Sequence, residues 1–442
     1  MFSIPESVKK ATLALNEKGF AAHLVGGCTR DMLRGVTPHD FDMTTDATPE
    51  EMKMVFEGYR TVETGIRHGT LTVLFDGEPL EITTYRIDGT YSDARHPDSV
   101  SFTRNLQEDL KRRDFTVNAM AYSEKDGIID CYGGQTDLQN RVIRAVGDPQ
   151  KRFEEDALRI LRAMRFASVL DFTIEPGTLS AMNRCKNNLL SVSAERVREE
   201  LLKMLCGSAV FRVLTECKSV LGVVLPELIP CFNFDQHTPF HRYDVFTHSL
   251  LTVTHTQQNP LLRFAALLHD AGKPHCFSLD ELGKGHFYGH AERSSELAAE
   301  AVSRLKFSKK DAQTVVALVK NHHMPFEATE KCCIKRRASF DDDFLQNLFA
   351  LEIADALSLS TEEGDNCAGE LLSTQRFFAE EAKKRPPLSL ATLAVKSQDL
   401  LQKGISPGKE MGLLLKKGLE AVAEGKIPNE KSVILSFLFS DR

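Results

Sequence analysis

The chain has 442 residues, of which 42% are hydrophobic and 26% charged, and it carries a net charge of −7. This balance suits a folded protein with room for about three domains and excludes an intrinsically disordered chain. The acidic surplus argues against holding nucleic acid by a uniform positive field, while leaving room for a local basic groove. Taken in order, residues 6–18 predict an opening helix, followed by a short apolar strand at 22–25, a glycine pair, a short helix and a strand around Phe41. Thr48-Pro49-Glu50-Glu51 then supplies an N-cap, a proline at the first helical position and a capping-box glutamate. Strand-like runs follow at 70–75 and 80–85. From Arg152 the apolar spacing is helical almost to the end, with breaks at Pro176-Gly177, near Pro239, at 283–285 and at Pro386-Pro387. The longest apolar runs, such as 220–225 and 434–439, fall far short of the ~20 residues a membrane span needs. The opening MFSIPESVKK lacks the pattern of a secretory signal, so no membrane partner and a cytoplasmic location are expected. Ten cysteines without a CxxC pair read as reduced, mostly buried thiols.

Chemistry-bearing residues begin at Gly26-Gly27-Cys28-Thr29-Arg30-Asp31, where a strand gives way to a helix. Glycines there let a backbone approach a ligand, the free N–H groups of the helix start suit phosphate, and Arg30 adds a cation. A glycine pair before a helix also serves purely structural ends. Asp40-Phe41-Asp42 follows. On a strand, residues two apart point to one face, which places both carboxylates side by side at the edge of the glycine turn, and a bridging Mg²⁺ relieves their repulsion. Between Arg141 and Arg165 stand seven basic residues against four acidic ones, a local basic excess.

These motifs, with Arg112-Arg113-Asp114-Phe115-Thr116-Val117-Asn118-Ala119, Gly147-Asp148-Pro149, Arg152-Phe153-x-Glu155-Asp156-x-x-Arg159 and Ser193-x-Glu195-Arg196, resemble those of the tRNA nucleotidyltransferase and bacterial poly(A) polymerase family, within the DNA polymerase beta superfamily. The resemblance covers about the first 210 residues. It implies a head holding Mg²⁺ on Asp40 and Asp42, with Glu81 as a candidate third carboxylate. It also implies nucleotide contacts from Gly26, Gly27, Arg30, Arg112, Arg113, Asp114, Asn118 and Glu155. Asp114 can accept from a ribose hydroxyl; equally, Arg113-Asp114 can be an ion pair capping the following helix. Asp156 and Arg159, three apart on a predicted helix, share a face and make an ordinary surface pair in most proteins. In this family such a pair looks like the selector of C or A, with Arg162 and Arg165 on the same helix facing the triphosphate or the RNA end. The partners implied are tRNA, CTP and ATP. The segment Arg86 to Pro97 looks like the family's flexible loop, associated with switching from C to A, and the non-basic ending SVILSFLFSDR is unlike a poly(A) polymerase tail. Addition of CCA is favoured over CC addition or poly(A) synthesis.

His248, His269-Asp270 and Asp355 occur at a spacing that resembles the HD-domain phosphohydrolases, whose helices bring four such groups to one metal. Imidazoles with carboxylates suit a transition metal such as Mn, Fe, Ni, Co or Zn. His290, His322 and His323 match the additional histidines of HD proteins that hold a second metal or a phosphate. Hydrolysis of a phosphomonoester or a 2′,3′-cyclic phosphate is the implied chemistry, and an HD phosphohydrolase with a merely RNA-binding head is the alternative from another class. From 389 the chain reads as short helices with a turn at 404–408, and its lysines either contact RNA or solvate helix faces. The expected fold is α+β: a small polymerase-beta-like head over 1–140, a helical neck over 141–235, an HD domain over 236–360 and a helical tail over 361–442.

Overall fold

A computed structural model describes residues 2–89, 99–238, 242–384 and 390–440. The chain divides into two compact units, Met1–Pro226 and Glu227–Arg442. The first opens with α1 (Glu6–Glu17), β1 (Ala22–Val25), α2 (Gly27–Leu33), β2 (Asp42–Thr45) and α3 (Pro49–Val55). Strands β3 (Arg60–Val62), β4 (Thr70–Phe75), β5 (Glu78–Thr84), β6 (Arg86–Asp88) and β7 (Val100–Phe102) follow. Next come α4 (Leu106–Lys111), β8 (Met120–Ser123) and β9 (Gly127–Asp130).

Seven of these strands form one sheet in the order β3-β4-β5-β2-β1-β8-β9, in which only β2 and β5 run parallel. Alternation along β5 buries Leu80, Ile82 and Thr84 and leaves Glu78 and Glu81 outside, as a sheet with one covered face requires. α1 presents Val8, Ala11 and Leu15, spaced three and four apart, to the same core as Met43, Met52, Leu71 and Ile82. The Thr48 capping box is present as read, with Thr48 and Glu51 satisfying each other's backbone N–H. β6 and β7 pair as a hairpin. The segment read as a flexible loop passes through Thr90 to Pro97, which lie outside the described residues, as do Pro239 and Pro386-Pro387.

The rest of this unit is α5 (Gly134–Gln139), β10 (Val142–Ile143), α6 (Pro149–Glu155), α7 (Leu158–Leu170), β11 (Thr173–Ile174), α8 (Pro176–Cys185), α9 (Ala194–Leu205), α10 (Val210–Glu216) and α11 (Lys218–Val224). Pro176-Gly177 is a start rather than a break inside a helix, because Glu175 caps α8 and Pro176 takes its first position. α7 is buried nearly all round, which makes it the central helix of this region.

The second unit contains α12 (Val245–His255), α13 (Pro260–Leu268), a two-stranded ribbon of β12 (Ser278–Leu279) and β13 (Gly285–His286), α14 (His290–Arg304) and α15 (Lys309–Asn321). It continues through α16 (Glu330–Ser339), α17 (Asp342–Ser358) and α18 (Glu362–Lys384), and ends in α19 (Ser397–Gln402), α20 (Lys409–Ala423) and α21 (Lys431–Phe439). Those last three helices share a small core around Val395, Leu400 and Ile434. Among the described residues no helix is long and apolar enough to cross a membrane. Replacing the α3 cap, Thr48→Ala, should destabilise the first unit by about 1 kcal/mol, read as a lower urea midpoint with an unchanged slope.

Candidate active site and metal centre

β1 ends at Val25, and Gly26 turns the chain with φ +77°, a conformation that favours glycine, before α2 begins. A methyl group built on Gly26 would stand 3.5 Å from both Arg113 Nη1 and Asp42 Oδ2, so those two side chains flank the turn. Around it opens a cleft of about 620 Å³ lined by Gly26, Gly27, Asp40, Asp42, Asp114 and Asn118, and by seven arginines at 30, 112, 113, 159, 162, 165 and 196. Asp156 and Phe166 complete its wall.

The cationic groups in this cleft are held, not loose. Arg30 forks onto Asp31 with two 2.9 Å bonds and donates to Asn118 Oδ1 at 2.8 Å. Asn118 donates in turn to Asp114 at 3.2 Å, and Asp114 Oδ2 takes both Nε (2.8 Å) and Nη2 (2.6 Å) of Arg162. Burial alone raises the Asp114 carboxyl, but the Arg162 charge and its hydrogen bonds outweigh it and bring the pKa down to about 2. Arg165 donates to Glu200 at 2.5 Å and lies over the Phe166 ring at 4.0 Å. The fully buried Asp109 takes Arg112 at 2.6 Å and Arg113 at 3.3 Å. Asp42 is held above the usual carboxylate range by desolvation inside the cleft, which the Arg113 charge opposes and neighbouring Asp40 reinforces.

In the second unit, five short elements converge on buried imidazoles. α12 contributes His248, the turn after α13 His269 and Asp270, the start of α14 His290, the turn after α15 His322 and His323, and α17 Asp355. Gly272 permits this approach, since a methyl there would fall 2.5 Å from the His290 carbonyl oxygen. His248 Nε2 lies 2.7 Å from Asp355, and His269 Nε2 lies 3.3 Å from Asp270 and 3.4 Å from Asp355. Two ligand sets share Asp270: His248 with His269, and His290 with His322 and His323. His269, His290 and His322 each engage a backbone carbonyl three residues back through Nδ1, at 2.7, 2.8 and 2.6 Å. That bond puts the proton on Nδ1 and aims the Nε2 lone pair inward, the tautomer a metal ligand needs. All three Nε2 atoms and Asp270 Oδ1 are buried without a well-formed hydrogen bond, while Asp270 Oδ2 is ion-paired with Lys273 Nζ at 2.6 Å. Buried orphans of this kind are rare, and a cation satisfies them together. Burial lowers the His269 pKa, yet Asp270 and Asp355 overcome it and push it up to about 10; the field that attracts a proton there also attracts a divalent ion. The donor set therefore fits a transition metal.

Comparison with known proteins identifies the domains in which these clusters lie. Residues 22–144 match the poly A polymerase head domain, 171–231 the "Probable RNA and SrmB- binding site of polymerase A", and 245–360 the HD domain. A CCA-adding enzyme of Levilactobacillus brevis is 35% identical over 431 residues, covering 98% of this chain and 96% of its own. The chain belongs to the CCA-adding enzyme family. Among solved structures, that of the Bacillus stearothermophilus CCA-adding enzyme in complex with CTP is similar with a TM-score of 0.70 at 27% identity, covering 98% of this chain and 96% of its own. The Thermotoga maritima CCA-adding enzyme complexed with tRNA shares the fold, with a TM-score of 0.58 at 22% identity, covering 99% and 96%.

Against the sequence reading, this member of the CCA-adding family differs at three places. Asp40 is not on a strand, because β2 begins at Asp42, whose partner Val25 is the last residue before the Gly26 turn; no neighbour remains to pair with Asp40. Asp156 and Arg159 are not on one helix. α6 stops at Glu155, Asp156 is extended (φ −140°, ψ 103°), and its side chain accepts from the Leu158 N–H at the start of α7. A short acidic side chain that bonds its own backbone two residues on interrupts a helix rather than continuing it. Both residues still line the cleft, Asp156 held by Arg196 at 3.0 Å and Arg159 by Glu155 at 2.7 Å and by the Arg112 carbonyl at 3.0 Å. Arg113-Asp114 is not a capping ion pair, since Arg113 turns to Asp109 and Asp114 to Arg162. Glu155 supports Arg152 and Arg159 from outside the cleft wall, and Glu81, though paired in register with Asp42, does not line it.

Asp109, Glu200 and Lys273 were not singled out from the sequence as site residues, and neither was Arg196 beyond its motif. Lys273 Nζ lies 2.6 Å from Asp270 and is buried, a position only the HD-x-x-Lys spacing hints at. Removing one partner of the Asp114 pair, Arg162→Ala, should cost about 2 kcal/mol in urea unfolding, less than a fully buried pair because Arg162 is partly exposed. With the folded pKa of Asp114 near 2 against an ordinary value of about 3.9, that difference should hold steady above about pH 4 and fade as the pH falls toward 2.

Proposed function

We propose that the cleft of the first unit adds C, C and A to the 3′ end of tRNA, taking CTP and ATP, within the division of the chain at about residues 140, 235 and 360 read from the sequence. The observation that carries this reading is two carboxylates, Asp40 and Asp42, facing seven arginines across one cleft. Paired carboxylates beside a phosphate-binding arginine array are a donor set for Mg²⁺, which binds through oxygen and keeps sites for phosphate. Asp40 and Asp42 would hold this ion, which would supply polarisation of the phosphoryl group and acidification of the attacking 3′-hydroxyl, a chemistry that two such ions share in related transfers. The chain's own residues do the rest. Gly26 and Gly27 let the triphosphate lie against the backbone, and Arg30, Arg112 and Arg113 stand around it. Asn118, tied to both Arg30 and Asp114, fixes that edge. Asp114 accepts from the Phe115 N–H, Asn118 and both Arg162 nitrogens, so a ribose hydroxyl read by this carboxylate takes the place of one of them, the 3.2 Å bond from Asn118 being the longest.

Base choice falls to Asp156 and Arg159. A carboxylate accepts from the exocyclic amine that C and A possess and U and G lack at the matching place, while the guanidinium donates to ring nitrogen or carbonyl. Glu155 and two carbonyl oxygens hold the Arg159 plane, and Arg196 holds Asp156, so neither has to be ordered by the nucleotide. Arg162 and Arg165 complete the cationic wall toward the triphosphate and the RNA end.

In the second unit, the orphaned His269, His290 and His322 nitrogens around Asp270 support a metal-dependent phosphomonoesterase or cyclic phosphodiesterase. His248, His269, Asp270 and Asp355 would hold one ion and His290, His322 and His323 a second ion or the phosphate, the metal supplying an activated water.

With a tRNA transcript lacking its last three nucleotides, CTP, ATP and Mg²⁺, 3′-end sequencing should show CCA and nothing longer. Asp42→Ala should slow extension by at least about 1,000-fold, the several kcal/mol that metal-bound charge stabilisation supplies. A stop at CC reassigns the product, and no extension by the unaltered chain overturns the reading. Independently, His269→Ala should lose bound transition metal by elemental analysis and release no phosphate from 4-nitrophenyl phosphate; wild-type chain purified and reconstituted without any bound transition metal would sink the second assignment.

A further inference from the structure

The transfer cleft is walled by charged and polar groups with one exception. Among the described residues that line it, Phe166 on α7 carries the only apolar side chain. Its ring is 7% exposed, so a nucleotide base has little of it to stack on. What covers it is cationic. The guanidinium carbon of Arg165 lies 4.0 Å from the ring centroid, that of Arg30 5.3 Å and that of Arg162 5.4 Å, all within the ~6 Å over which the negative face of a ring attracts a cation. Phe115, fully buried, packs against the same ring at 5.7 Å with an interplanar angle of 79°, and so fixes its orientation from the interior.

This ring stands at the junction of two elements. Arg162 is one turn before Phe166 on α7 and Arg165 adjoins it, whereas Arg30 comes from α2, just past the glycine turn. A carboxylate that holds a guanidinium group uses up its N–H donors, while a ring that holds one uses none. Arg165 illustrates the difference. Among the described residues it donates from Nε alone, to Glu200, so both of its terminal nitrogens remain for a ligand while the ring supports the group from the side. An aliphatic side chain at the same place would set three like charges against inert carbon, with nothing to offset their lost hydration. We propose that Phe166 is a positioning residue for nucleotidyl transfer, whose ring sets the spacing of Arg30, Arg162 and Arg165 so that the triphosphate of CTP or ATP meets an array already in order. This rests on the transfer reading of the cleft. The ring acts through the arginines, not on the nucleotide, and reduces the rotamer entropy that three long side chains would otherwise lose when phosphate binds.

Fluorination tests this without emptying the site, because each fluorine drains the negative face of the ring and changes its volume little. With monofluoro-, difluoro- and trifluorophenylalanine in place of Phe166, the affinity of the full chain for inorganic tripolyphosphate and for CTP, measured by titration calorimetry with Mg²⁺, should fall stepwise, by about tenfold at three fluorines. KM for CTP should rise in step, while kcat on a tRNA transcript lacking its last three nucleotides changes by less than about twofold, since the ring orders binding groups rather than reacting atoms. In an Arg165→Gln background the same three fluorines should cost less than about threefold, because the ring has lost its nearest cation. Phe166→Leu should lose at least as much affinity as the trifluoro ring. Affinity unchanged across the fluorine series, a loss that falls on kcat instead of KM, full additivity with Arg165→Gln, or tight binding by Phe166→Leu overturns the inference. Tripolyphosphate binding is read without turnover, which separates the two readings. An unaltered chain that binds it and extends no tRNA removes the transfer reading and leaves the arginine array to be judged by calorimetry; extension with an unchanged KM by the trifluoro chain removes the positioning role alone; no binding of either ligand by the unaltered chain overturns both.

Discussion

The bond between Asp114 and Arg162 is the constraint on which the transfer cleft depends. It joins the segment after α4 to the central helix α7, and through Asn118 it reaches Arg30 on α2. The pattern extends to every arginine in the cleft. Arg30 is held by Asp31, Arg112 and Arg113 by Asp109, Arg159 by Glu155, Arg165 by Glu200 and Arg196 by Asp156. Seven guanidinium groups around one cavity would otherwise repel each other and swing apart. Their carboxylate partners let an acidic protein with a net charge of −7 build a cationic site without a cationic surface.

That same arrangement decides what was legible in the sequence. Asp40-x-Asp42, Arg113-Asp114 and His269-Asp270 are local, since the chemistry and the spacing sit within a few residues, and Gly26-Gly27 separately marks where the backbone turns. The strands at 22–25 and 70–75 and the Thr48 cap were legible for the same reason, because periodicity and capping are short-range. Glu200 and Arg196 lie some 35 to 40 residues from the partners they hold, Arg165 and Asp156; Arg196 is marked only by its motif, and nothing in α9 distinguishes Glu200 from a solvated charge on an amphipathic helix. The break at Asp156 was missed because the apolar spacing runs straight through it. Only the competition between a side-chain cap and the helix hydrogen bond decides that point, and that balance is about a kilocalorie per mole.

The two clusters of carboxylates are built by opposite means. In the cleft the carboxylates Asp40 and Asp42 keep accessible surface, although the cleft partly desolvates Asp42, and the positive charge is spread over guanidinium groups, a donor set that suits an oxygen-bound ion. In the second unit Asp270, His248, His269 and His322 are almost fully buried, His290 is partly buried and His323 exposed, backbone carbonyls hold the Nδ1 of His269, His290 and His322, and Lys273 is the only basic side chain paired to Asp270 or Asp355 apart from the histidines themselves, among the described residues. Such a donor set is fixed by geometry before any ligand arrives.

Preorganisation carries the consequence for specificity. A guanidinium group already planar against a carboxylate loses little rotamer freedom when a nucleotide arrives, so its bond contributes nearly in full. Neutralised in pairs, the arginines also attract phosphate at short range more than at long range, since each dipole field falls off faster than a bare charge. A cleft built this way discriminates by where its donors point. That is what a site choosing C and A without a nucleic-acid template needs, because the edge it reads must stay fixed while the RNA end lengthens one nucleotide at a time.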